Sequence, residues 1–363
     1  MTSYPSRALI DMGALAHNLK VLGSATSSAL IPIVKADAYG HGLPIILDGL
    51  ADAPVVGIAQ MTEALGANRD GRVLTWIYDE DTDVTEAVHA GLDISIGAPW
   101  AIRAVAEAAR VVGRPARAHV EVDTGMARSG LASRTDIAEV AAAVASGLFE
   151  PVGLWSHLAR ADEPDNELTG QQVKRFREYR EVCEQVGYRP RMMHLAATAG
   201  TLWHPLTHFD AVRPGIGLYG LSPNPEVATA DQLGLRPVMT VVAPIVSLRD
   251  IETGVGVSYG HSFVSANPMR IATVPLGYAD GVPRSASNRA EVSIRGMRCP
   301  VVGKICMDQF MVAVPENVQV GDTVTLWGAG GPSADEWAGW ADTIGYEITT
   351  RLGPRVPRVK MNS

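Results

Sequence analysis

The chain has 363 residues, 47% of them hydrophobic and 19% charged, which is ample apolar material for a buried core and no composition for a disordered chain. Its formal net charge of −8 argues against a nucleic-acid surface or a polybasic membrane anchor. The N-terminal stretch lacks the basic start and apolar core of a signal peptide, and no run reaches the length of a membrane-spanning helix, so a cytoplasmic protein is expected.

Length favours one large domain with a smaller one. The first strand-like run, "ALIPIVKA", ends on Lys35 and passes through the loop "DAYGHG" to a helical "LPIILDGLA". "VVGIA" (55–59) precedes "MTEALGANR", "VLTWIY" (73–78) precedes "DTDVTEAVHAG", and "DISIG" (93–97) precedes the helical "PWAIRAVAEAARVVG". "ARAHVEVD" (116–123) leads to "RTDIAEVAAAVASG", and "VGLWSHLA" (152–159) to "NELTGQQVKRFREYREVCEQVG". "RMMHLAA" precedes "AGTLWHP", and "DAVRPGIGLYG" completes the set.

Eight apolar runs separated by helices predict parallel strands with crossover helices, and eight favours a closed (β/α)8 barrel. No Gly-x-Gly-x-x-Gly turn follows the first run, which speaks against a doubly wound dinucleotide fold. After about residue 235 the texture becomes β-rich, in "VMTVVAPIVSLRDI", "MRIATVPLGYA", "AEVSIRGMRCPVVGKI", "QFMVAVP" and "GDTVTLWG". The expected organisation is an N-terminal barrel over 1–235, followed by a smaller, mostly antiparallel β domain over 236–363. The first few residues are expected to join the β domain.

In such a barrel, reactive groups gather at the C-terminal ends of the strands. Lys35 ends the first run, Arg128 follows the fifth, His157 ends the sixth, His194 lies in the seventh and Arg213 in the eighth. Taken singly, a histidine in an apolar strand is a packed core residue and an arginine at a strand end is half of an ion pair. Five converging on one rim is hard to explain as packing. The three cysteines (Cys183, Cys299, Cys306) read as reduced thiols, and no cluster has metal-ligand spacing. A strand-end lysine, histidines, arginines and glycine loops such as "RPGIG" and "ATAG" suit pyridoxal 5'-phosphate. Lysine supplies an amine for a Schiff base, loop N–H groups with the Thr198 and Tyr39 hydroxyls an anion nest, and an arginine a carboxylate partner.

The segments "VKADAYGHG", "VDTGMARSG", "SHLARADE", "RPGIGLYG", "VSYGHSF", "PLGYADGVPR", "VGKICMDQF" and "RVPRV" resemble the alanine racemases, in order and over essentially the whole length. The resemblance implies a pyridoxal-phosphate barrel with a β domain, interconverting L- and D-alanine for peptidoglycan, with two active sites shared across a head-to-tail homodimer. By that resemblance Lys35 is the Schiff-base lysine and the base for the D face. Tyr259 is the opposing base for the L face, donated by the partner, and His157 bonds it. Arg213 faces the pyridine nitrogen with His194 behind it, and Tyr39, Thr198, Gly215 and Ile216 form the phosphate set. Arg128 and the Met307 backbone take the substrate carboxylate, Met307 from the other subunit, while Tyr278 and Asp162 line the entry corridor.

Three departures stand out. Many family members have a carbamylated lysine where this chain has Glu121, which can supply an anion directly. Two residues apart on a strand, Glu121 and Asp123 share a face, from which Glu121 could reach and orient Arg128. The family's "H-x-x-N-S" appears as "HLAAT", with Ala197 in place of asparagine, and Pro354 stands where some members have a phosphate-contacting tyrosine. Alternatives are a racemase for serine or a broader amino-acid set, a decarboxylase on the same fold, and a non-catalytic pyridoxal-phosphate carrier. Arg213, rather than an acid, opposes the decarboxylase, and the second domain opposes the carrier.

Overall fold

The computed structural model describes residues 5–361, which separate into two compact units. Of the described residues, one unit comprises 19–38 and 46–218, the other 5–18, 39–45 and 219–361. Along the chain the units therefore part at Leu218–Tyr219, upstream of residue 235, and the short segment 39–45 goes with the β-rich unit.

The N-terminal strand β1 (Arg7–Asp11) belongs to the β-rich unit. The other unit is built on β2 (Ala29–Leu30), β3 (Val55–Gly57), β4 (Arg72–Thr75), β5 (Asp93–Ile96), β6 (Ala116–Glu121), β7 (Phe149–Trp155), β8 (Met192–Ala197) and β9 (Ala211–Arg213). These eight strands are all parallel, in the order β2-β9-β8-β7-β6-β5-β4-β3. Ile33 bridges Gly57 in parallel, with Gly57 N donating to Pro32 O (2.8 Å) and Val34 N to Gly57 O (2.9 Å), so the chain beyond β2 meets β3 and closes the ring. Each apolar run expected to be a strand forms one, because both faces of a parallel barrel strand are buried: Ile31, Val56, Leu74, Ile94, Val120, Leu154, Leu195 and Val212 are all within 1% of complete burial. The helices between them start and stop on local chemistry. Pro99 opens Pro99–Val112, the Ser133 hydroxyl accepts from Asp136 N ahead of Arg134–Ala145, and the Asn166 side chain accepts from Leu168 N ahead of Glu167–Val186.

The β-rich unit adds β10 (Met239–Pro244), β11 (Ser247–Ile251), β12 (Gly256–Val257), β13 (Phe263–Val264), β14 (Met269–Val274), β15 (Glu291–Ile294), β16 (Met297–Pro300), β17 (Phe310–Val314), β18 (Thr323–Trp327) and β19 (Arg358–Met361). They form a six-stranded sheet (β16-β15-β18-β10-β1-β19), a three-stranded sheet (β11-β14-β17) and the hairpin β12-β13. Pairing is antiparallel except between β1 and β19. Two short helices, Ala334–Ala341 and Gly345–Thr350, accompany these sheets. Among the described residues no helix is long and apolar enough to cross a membrane.

Candidate active site

Lys35 does not sit at the last residue of a regular strand. Beyond the Ile33 bridge the backbone turns over at once, and Ala36, Asp37, Ala38 and Tyr39 all take left-handed angles (φ 53 to 56°). Such a conformation costs a non-glycine residue about 1–2 kcal/mol, so something must hold the turn. The Glu63 carboxylate does, accepting from Ala36 N (3.0 Å) and Asp37 N (2.7 Å). The Lys35 amine has its pKa lowered, first by burial and then by the positive charges of Arg128 and Arg213. Its neutral, proton-accepting form is therefore populated at lower pH than for an ordinary lysine.

Arg213, the last residue of β9, is buried and held from several sides. It donates to His194 Nδ1 (2.9 Å) and to the carbonyls of Ser156 (2.7 Å) and Leu195 (3.0 Å), and lies 3.3 Å from His157 Nδ1. Its guanidinium carbon lies 4.9 Å from the centre of the Trp155 ring, which also stacks on His194. Burial pushes the guanidinium pKa down to about 9, with Arg128 adding to the shift and Glu121 opposing it. Guanidinium can only donate, so His194 Nδ1 must accept and His194 carries its proton on Nε2, whereas the nitrogen near His157 gives its two hydrogens to the Ser156 and Leu195 carbonyls. His157 and His194 are both held well below the usual histidine pKa, first by burial and then by Arg213, and stay neutral.

Around this centre lie two loops. Asp123 Oδ1 accepts from the amides of Gly125, Met126 and Ala127 (2.8, 3.0 and 3.1 Å), building the turn that carries exposed Arg128. Glu121 is buried and accepts the Ser129 hydroxyl (2.7 Å), one residue beyond Arg128. Its pKa is raised by burial, against the pull of Ser129, Arg128 and Arg213. The sequence reading missed Gln172, a buried amide on Glu167–Val186. It accepts from Ala159 N (2.9 Å) and donates to His157 O (3.0 Å) and Thr124 Oγ1 (3.1 Å), tying the His157 loop to the Arg128 loop. The available signal was a polar residue beside Val173 on the face that also buries Thr169, Phe176 and Cys183. Asp162 lies in the turn between β7 and this helix.

Thr198 follows β8. Its hydroxyl accepts from Gly215 N (3.0 Å) and Gly217 N (3.4 Å), so its single hydrogen is left to donate elsewhere. A Cβ on Gly217 would lie 2.8 Å from the Thr198 methyl, so only glycine lets the two loops approach this closely. Ile216, between these glycines, is buried. An amine of lowered pKa, a fixed guanidinium and this hydroxyl-and-amide cradle match the carbonyl, ring nitrogen and phosphate of pyridoxal phosphate, so the residues present fit that group.

The remaining expected residues lie in the β-rich unit. Tyr39 is buried there, its ring stacked on Tyr219 (4.8 Å between centroids) and tilted towards Tyr346 (6.2 Å), a tyrosine the sequence reading did not single out. Tyr259, Tyr278 and Met307 come together around Cys306. Ser258, left-handed at φ 62°, places its hydroxyl 3.4 Å from Cys306 Sγ and donates to Lys304 O (2.7 Å). Tyr278 N donates to Cys306 O and Ala279 N to Met307 O, both at 3.0 Å. Tyr259 is 71% exposed and Met307 53%.

Comparison with known proteins gives this geometry a family. The alanine racemase N-terminal domain model matches residues 10–223 and the C-terminal domain model residues 238–360. An alanine racemase of Beutenbergia cavernae is 45% identical, over 98% of this chain and 98% of its own. One from Thermobifida fusca is 43% identical over 99% and 98%. Among solved structures, the alanine racemase from D-cycloserine-producing Streptomyces lavendulae superposes with a TM-score of 0.96 at 38% identity, covering 100% of this chain and 98% of that one. The Streptomyces coelicolor A3(2) alanine racemase gives 0.95 at 42% identity, covering 99% and 98%. This chain belongs to the alanine racemase family.

Proposed function

We propose that the protein interconverts L- and D-alanine with pyridoxal 5'-phosphate, using two bases on opposite faces of the substrate. The observation that carries the reading is the fixed Arg213 and the Thr198–Gly215–Gly217 cradle in one barrel with the Lys35 amine, in a chain of the alanine racemase family. Lys35 would hold the cofactor through that amine, Arg213 would donate to its ring nitrogen, and Tyr39, Thr198, Gly215 and Ile216 would hold its phosphate. When bound, the cofactor supplies the electron sink that acidifies the substrate α C–H bond.

The residues of the chain supply the rest. Neutral Lys35 Nζ takes or returns the α proton on the D face, and the Tyr259 oxygen does so on the L face. His157, kept neutral by burial and the nearby arginines, can donate a ring N–H to that phenol oxygen and stabilise its ionised form. Arg128 and the Met307 N–H take the substrate carboxylate, and Tyr278 and Asp162 border the entry. Tyr259 and Met307 serve the site of a second copy in a homodimer, which is supported by their exposure in the single chain. D-alanine made in the cytoplasm would then supply peptidoglycan.

Glu121 orients the Arg128 loop through Ser129, in place of a modified lysine. Glu121→Gln, which keeps the shape and removes the charge, is expected to raise KM for alanine by roughly threefold to tenfold with a smaller change in kcat. Unchanged KM and kcat in steady-state assays would remove Glu121 from its orienting role. Thr198→Val leaves Gly215 N and Gly217 N without their acceptor. The cost of about 1–3 kcal/mol should weaken cofactor binding on the order of tenfold or more in a titration of the cofactor-free protein; an unaltered dissociation constant would take Thr198 out of the phosphate set. The whole reading is tested by chiral assay of purified protein with pyridoxal phosphate. D-alanine formed from L-alanine supports it, and no product from protein that binds the cofactor overturns it.

A further inference from the structure

The barrel interior carries a line of polar groups where branched aliphatic side chains are usual. Arg213 donates to His194 Nδ1 (2.9 Å), His194 Nε2 lies 3.0 Å from His119 Nδ1, and His119 Nε2 lies 3.2 Å from Asp93 Oδ2. Asp93, His119 and His194 are completely buried. Since Arg213 can only donate, every bond has one allowed direction: His194 Nε2–H donates to His119 Nδ1, and His119 Nε2–H donates to an ionised Asp93. Asp93 is kept ionised at its far end by Arg117 Nε (2.5 Å), which also pairs with Glu150 (2.9 Å). The neighbouring strand yields to the line as well. A Cβ on Gly153 would lie 2.2 Å from His119 Nδ1, so the imidazole occupies the space a side chain there would need.

We propose that Asp93 and His119 are positioning residues for Arg213: the buried carboxylate, acting through two neutral imidazoles of fixed tautomer, sets the plane and the charge of the guanidinium. This rests on the racemase reading for its catalytic consequence, though not for its geometry. Arg213 has no carboxylate in hydrogen-bonding contact among its contacts with His194, His157, Ser156 and Leu195. Glu121 is the anion that acts on Arg213 through space, while Asp93, itself paired with Arg117 and Arg72, reaches it only through the two imidazoles. Each polarised imidazole becomes a better acceptor for the donor before it, so the chain favours a protonated, immobile Arg213. Packing alone would not require it, since apolar residues fill a barrel at lower cost than a buried file of charges and imidazoles.

The test is 15N-histidine NMR of the full-length protein, with and without pyridoxal phosphate, joined to kinetics. His119 and His194 should each carry one ring proton, on Nε2. His119→Leu should remove the acceptor of the His194 Nε2–H, shift the His194 15N and 1H resonances, and lower kcat by roughly tenfold or more, with a smaller change in KM. His119→Gln, whose amide can accept from His194 and donate to Asp93, should keep that hydrogen bond and most of kcat. A cationic His119, or a proton on His194 Nδ1, in the wild type would overturn the proposal even if His119→Leu does not fold. So would a folded His119→Leu with wild-type kcat and unshifted His194 resonances, or equal impairment of the Leu and Gln variants. A wild type that makes no D-alanine would instead overturn the racemase reading, while the NMR still reports on the hydrogen-bonded line.

Discussion

Replacing Lys35 with alanine is expected to reduce alanine racemisation by at least about a thousandfold, because one residue both attaches the cofactor and serves as a base. Burial and the charges of Arg128 and Arg213 lower the pKa of this amine, which is what a base at neutral pH needs. The substitution removes the cationic form from a positive site, so the protein should fold at least as well as before. Circular dichroism alongside the chiral assay separates loss of chemistry from loss of fold. A folded Lys35→Ala protein racemising at more than a small fraction of the wild-type rate would remove Lys35 from its role.

Tyr259→Phe should be nearly as severe for racemisation and yet leave a telling residue of activity. It deletes one oxygen from an exposed ring in the β-rich unit, so the barrel and its amine are untouched. With Lys35 as the only remaining base, the α hydrogen of D-alanine should still exchange with deuterium oxide, without inversion. Exchange into L-alanine and formation of the opposite enantiomer should fall together, on the order of a thousandfold. Mass spectrometry of each enantiomer after incubation separates the two faces. Equal loss of exchange from both enantiomers would mean that Tyr259 does not serve one face alone.

The strands of the barrel were legible because both faces of a parallel strand are apolar, and "DISIG" or "VVGIA" can hardly be read otherwise. The first residues were expected to join the β domain, but β1 was not legible as a strand, since "RALID" is short and mixed and its partners β10 and β19 lie more than 220 residues away in the chain. The rim residues were legible as chemistry at strand ends, and their roles came from the resemblance. The left-handed turn from Ala36 to Tyr39 was hidden, because only Asp37 among those residue types tolerates it well and Glu63, far along the chain, holds it. His119 and Asp93 were hidden for a different reason. A single histidine or aspartate in an apolar strand reads as an isolated polar residue until the register of β5, β6 and β8 sets them in line.

The most direct test of two-base racemisation is to start the wild-type enzyme with ordinary L-alanine in deuterium oxide and examine the first D-alanine formed. Two bases on opposite faces predict that this product carries solvent deuterium at Cα, because the proton taken from one face is not the one delivered to the other. Early D-alanine that keeps the substrate's own proton would mean that a single group carries it across, and would contradict the roles of Lys35 and Tyr259 as opposing bases.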